Sequence, residues 1–180
     1  MIKKLQKKFI AITMAITIVT TGIIYGIIMF AHYQIINRQI DGVISLIEEN
    51  NGIIPENIAI NTNTRNGFFT KETRYSTRYF TAKMSATGDI TDINTQHIAS
   101  FTSEDVESII AKIQKYHKQS GFYENYKYRI VSRNGYSLVI FLDATMELRN
   151  FKITVTESFE IICLLWIIIL IIDRKSTRLN

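Results

Sequence analysis

Two apolar segments near the ends of the 180-residue chain enclose a polar middle of about 125 residues, and this layout restricts the fold more than any motif does. Phe9 to Phe30 is 22 residues without a charged side chain, whereas Ile161 to Ile172 is an unbroken apolar run of only 12. A helix that crosses about 30 Å of hydrocarbon at about 1.5 Å per residue needs about 20 apolar residues. The first segment meets that length and predicts a transmembrane helix over residues 9–30. The second falls short and predicts a transmembrane helix over 159–172 that is cut off part-way.

The last eight residues, Asp173-Arg174-Lys175-Ser176-Thr177-Arg178-Leu179-Asn180, resemble the in-frame translation of a common short-read sequencing adapter. A non-native tail belongs outside fold reasoning. It also accounts for the short second run, which a natural basic flank does not. Residues 173–180 are therefore expected to be foreign to the protein, with the true sequence after Ile172 still to be read.

The net charge of +5 invites a nucleic-acid partner, and its distribution removes that reading. Lys3, Lys4, Lys7 and Lys8 precede the first apolar segment, while residues 31–157 carry 14 basic and 14 acidic side chains. No basic stripe remains to track phosphates. Positive charge beside a membrane helix stays cytoplasmic. The expected topology has residues 1–8 inside, the lipid bilayer as first partner, and residues 31–158 outside. A cleaved signal peptide fits less well, because the exit Ile27-Ile28-Met29-Phe30 offers no small-x-small site. The sole cysteine, Cys163, lies in the second apolar run, which excludes a disulfide framework and a cysteine zinc site from the middle.

Past the first span the apolar pattern continues at helical spacing through Ile36, Ile40, Val43, Ile44 and Ile47, predicting one helix from about Phe9 to Glu49 that stops at Asn50-Asn51-Gly52. The stripe Ile36, Ile40, Val43 and Ile47 is the candidate signal-transmission face. Residues 52–70 hold the only proline, Pro55, and read as a loop. Thr73 to Ala82 alternates as a strand that turns at Thr87-Gly88-Asp89 into Ile90–Asn94. Thr102 and Asp105 form a capping-box pattern ahead of a helix with the stripe Val106, Ile109, Ile110, Ile113 and Tyr116, ended by Gly121. Asn134-Gly135 predicts a hairpin of Asn125–Arg133 with Tyr136–Asp143, whose second strand is apolar on both faces and so central. From Thr145 the pattern is helical again. The sum is an α+β fold, a PAS-like antiparallel sheet domain outside the cell between two transmembrane helices.

Catalytic chemistry is not written in these residues. His32, His97 and His117 have no second ligand at helical spacing, so no metal site is expected. There is no nucleophile elbow and no phosphate-cradling glycine loop. Asp143 follows an apolar strand and is read as the cap of the next helix, through the backbone around Met146. The stretch from Lys71 to Phe80 alternates cations and aromatics; with Arg74, Arg78 and Phe80 on one face, two guanidiniums would clamp a carboxylate or phosphate ligand. The same residues also fit an ordinary edge strand kept soluble by its charges.

Several stretches together resemble the amino-terminal half of a family of sensor histidine kinases from Gram-positive bacteria. They are Glu72 to Phe80, Gly88-Asp89-Ile90, Asn94, His97-Ile98-Ala99-Ser100, Tyr126-Lys127-Tyr128-Arg129 and Phe141-Leu142-Asp143. The resemblance implies a two-component sensor that detects an unknown extracytoplasmic ligand, works as a homodimer in the plasma membrane and acts on a response regulator. It implies ATP and Mg only for a kinase core absent from this chain, since no histidine here stands in a His-Glu-Leu-Lys-Thr-Pro-like box. The chain itself is expected to hold no cofactor, to bind no ATP and to phosphorylate nothing. Two other readings stay open: a membrane-anchored binding domain without a kinase, and a sensor for another output such as a chemoreceptor or cyclase.

Overall fold

A computed structural model describes residues 2–55 and 72–179. The expected loop over 52–70 lies mostly outside the described residues, as does Lys71. Two compact units emerge, residues 1–35 with 149–180, and Ile36–Leu148. Element order is α1 (Ile2–Glu49), α2 (Thr73–Ser76), β1 (Tyr79–Ser85), β2 (Ile90–Asn94), α3 (Ser103–Gln114), β3 (Ser120–Tyr123), β4 (Tyr126–Arg133), β5 (Tyr136–Asp143) and α4 (Thr145–Leu179).

In the first unit α1 and α4 run antiparallel. The Tyr25 hydroxyl donates to the Val155 carbonyl at 2.7 Å, and the Tyr25 ring lies 6.5 Å from Phe159. His32 and Tyr33 meet Phe151 at 5.7 and 5.5 Å. Ile23, Ile27, Leu164 and Ile168 are exposed. Both helices are long and apolar enough to cross a membrane. The short 161–172 run does not shorten α4, which starts at Thr145.

The second unit is a five-stranded antiparallel sheet in the order β2-β1-β5-β4-β3. β5 takes the middle, as a strand apolar on both faces must. On one face Phe80, Ala82, Met84, Tyr128, Val139 and Phe141 pack against Val106, Ile109, Ile110 and Ile113 of α3. The alternate residues Tyr79, Thr81, Leu138, Ile140 and Leu142 are buried on the other face, because side-chain direction alternates along a strand. That face belongs to α1, whose Ile36, Ile40, Ile44 and Ile47 are buried while Val43 is half-buried.

The ends of these helices have local causes. α1 closes in a Schellman motif: Gly52 N–H bonds to the Ile47 carbonyl at 2.8 Å and Asn51 N–H to the Glu48 carbonyl at 3.3 Å, with Asn51 at φ 56°. Gly52 follows at φ 94°, and a Cβ there would stand 3.3 Å from both Leu138 Cδ1 and Thr81 Oγ1, so only glycine fits. α3 opens with the expected capping box, Asp105 accepting from Thr102 N at 2.9 Å.

Three expectations give way. Thr73–Ser76 is a helical turn, so the strand begins only at Tyr79 and lies inside the sheet, not at an edge. Local hydrogen bonds explain this, with Ser76 N and Oγ both donating to the Glu72 carbonyl at 3.0 Å. α3 ends at Gln114, leaving Tyr116 61% exposed outside the stripe. Gly121 is no helix stop. It sits in β3, an unforeseen strand, where the Tyr128 hydroxyl would be 3.0 Å from an added Cβ.

Candidate functional site

The densest polar constellation joins α1 to β4. Asp41, Ser45 and Glu48 recur at helical spacing on one face of α1, and Arg129 reaches all three. Its Nη2 lies 3.3 Å from Asp41, and its Nη1 lies 3.0 Å from Ser45 Oγ and 3.1 Å from Glu48. Lys127, also on β4, approaches Asp41 at 3.5 Å while its Nζ lies 4.7 Å from the centre of the Phe122 ring. Arg133 donates to the Glu48 carbonyl at 3.0 Å, supplying a cation where the helix dipole is negative. Residues 127, 129 and 133 share a sheet face by strand alternation, so β4 presents three cations to the last turns of α1. Helical periodicity exposed Asp41 and Glu48 in the sequence, but nothing in the sequence pairs them with Arg129, 88 and 81 positions away.

The proposed anion clamp does not assemble. Phe80 is fully buried, stacked 4.6 Å from Phe141 in the α3-side core, and is no ligand contact. Arg78 pairs through Nε with Asp143 at 3.5 Å. Arg74 sits on the helical turn of α2, and its charge is felt at Tyr79 and His97. Period-two alignment fails because residue 74 precedes the strand. Asp143 is a cap as expected, although its Oδ1 accepts from Thr145 N at 2.9 Å, one residue earlier than the position read from sequence.

His97 stacks on Tyr79 with ring centres 4.6 Å apart and an angle of 13°, and the Tyr79 hydroxyl accepts from Ile54 N at 3.1 Å. Burial, with a smaller contribution from Arg74, pushes the His97 pKa below its ordinary 6.5. The unfolded chain therefore binds a proton at His97 that the folded chain resists. Stability from this residue is present above about pH 6.5 and is lost as pH falls through the folded value. Thermal unfolding of His97→Asn is expected to lose part of the midpoint decline that the parent shows between about pH 7 and 5. A parent-minus-variant difference that stays constant over that range would contradict this.

A second feature of the same sheet face is a cavity of about 340 Å³ lined by Gln39, Ile40 and Val43 of α1, Thr73 and Ser76 of α2, Thr77, Leu142 of β5 and Glu147 of α4. No group of three or more His, Cys, Asp or Glu able to hold a metal occurs among the described residues. In comparison with known proteins, no family model matches the chain, and no curated protein or solved structure matches it either.

Proposed function

We propose that the chain is the membrane input region of a two-component sensor histidine kinase, with Ile36–Leu148 as a PAS-like sensor unit outside the cell. The observation that carries this reading is connectivity. α1 is one uninterrupted helix that includes both the uncharged run and the buried stripe on the sheet. β5, the central strand, is followed after Ala144 by α4. A ligand-induced change in the sheet thus has two covalent routes to the bilayer, and the kinase core, with its ATP, Mg and response regulator, would lie beyond α4. The strand order 2-1-5-4-3 supports the PAS-like assignment. The clamp of Arg129 on Asp41 and Glu48 supports α1 as the transmission element, since it ties strand position to helix position by charged hydrogen bonds.

Within the stripe, the structure selects the residue to probe. Ile40 is 3% exposed, so Ile40→Asp would bury a lone carboxylate and disturb the fold itself. Half-buried Val43 is the cleaner site, and Val43→Thr in the complete kinase is the substitution that reports on signalling.

Topology tests the reading first. In a Cys163→Ala background, Glu107→Cys, at an exposed position of α3, is expected to react with a membrane-impermeant thiol reagent in intact cells. Reaction only after lysis would place the sheet unit in the cytoplasm and remove the extracytoplasmic sensor.

A further inference from the structure

We infer that the cavity between α1, α2, β5 and the first turn of α4 is a ligand site for a small organic ammonium compound with a compact apolar body. The inference deepens the sensor reading by naming a ligand class, and it reverses the charge of the ligand that the arginines of the 71–80 stretch suggested. At about 340 Å³ the space falls within the range of small-molecule sites. Its lining divides by chemistry. Ile40, Val43 and Leu142 supply aliphatic surface, whereas Gln39, Thr73, Ser76, Thr77 and Glu147 supply oxygen acceptors.

Among the described residues, Glu147 is the only formally charged one in the lining. The side chains of Gln39, Thr77 and Glu147 make no hydrogen bond or ion pair among the described residues. Ser76 donates its hydroxyl hydrogen to the Glu72 carbonyl at 3.0 Å, which leaves its lone pairs to accept. An ammonium group has donors and no acceptor, and is matched by the Glu147 carboxylate, the one acceptor-only side chain among these. A carboxylate ligand would meet Glu147 with no cation among the described lining residues to offset the repulsion. An inorganic cation is poorly served, because hard cations take six or more oxygen ligands and favour several carboxylates.

Position gives the site its consequence. An occupant would touch Ile40 and Val43 on α1 and Glu147 on α4, the two helices that leave the sheet unit. Neither Arg74 nor Arg78 is among the residues that line the cavity, and Arg78 pairs with Asp143 at 3.5 Å.

The test uses the whole chain in detergent and three probes with one shared body: cyclohexylmethylamine, cyclohexylmethanol and cyclohexanecarboxylate. Calorimetric titration is expected to show saturable binding of the amine, about tenfold or more tighter than of the alcohol or the carboxylate. Glu147→Gln, at an exposed position, should remove that preference without moving the unliganded unfolding midpoint. Val43→Phe should block the amine by filling the space while Glu147 stays in place. No binding of the amine, equal binding of all three probes, or a preference that survives Glu147→Gln would each overturn the site. None of these outcomes depends on a kinase core or on membrane orientation, so failure of the sensor reading would show itself separately.

Discussion

Phe141→Ala is expected to cost about 3–5 kcal/mol and to leave the sheet unit largely unfolded at physiological temperature. Phe141 sits on the central strand at 1% exposure, stacked 4.6 Å from Phe80 and 5.8 Å from Tyr128. Truncation removes the ring from a core with aromatic neighbours on two adjacent strands, and strands locked by pairing on both sides cannot close the cavity. The readout is urea unfolding followed by near-ultraviolet circular dichroism of the tyrosines. The single tryptophan, Trp166, lies in α4 and reports on the other unit. A cost below about 1 kcal/mol would mean that this face is not the core.

Arg129→Met is expected to cost about 2 kcal/mol. The substitution keeps much of the aliphatic stem and deletes the fork that Asp41, Ser45 and Glu48 share. At 25% side-chain exposure for Arg129 and 26% for Glu48, the pair is screened less than a surface ion pair and more than a buried one, which sets the figure between those limits. Arg129→Lys should recover only part of the loss, since an ammonium cannot span two carboxylates about two helical turns apart. A double-mutant cycle with Glu48→Gln isolates the coupling. Additive effects would show that Arg129 does not tie β4 to α1.

Much of the fold was legible because its signals are local. The unbroken helix to Glu49, the stop at Asn51-Gly52, the Thr102–Asp105 capping box and the Asn134-Gly135 hairpin each depend on a few adjacent residues. So does the central placement of Leu138 to Leu142, which follows from apolar residues on both faces. The errors arose where tertiary contacts override pattern. Thr73–Ser76 has strand-like composition, yet Ser76 satisfies the backbone of Glu72 and winds a turn. Ser120–Tyr123 is too short to signal a strand, and its glycine admits Tyr128. Sequence alone does not say which strand face carries α3, and so does not place Phe80 in the core.

The candidate site was less legible for the same reason. Arg74 and Arg78 are neighbours in sequence. The clamp that forms unites residues more than 80 positions apart, and the cavity draws its lining from four elements and the Thr77 connection. No periodicity encodes either arrangement.

The proposal that this chain is the input half of a histidine kinase stands or falls on the genomic frame beyond the codon for Ile172. The proposal requires an apolar continuation of the α4 segment, then a box with a phospho-accepting histidine, then an ATP-binding domain. A stop codon within a few residues of that point, or an output domain of another class, would contradict it.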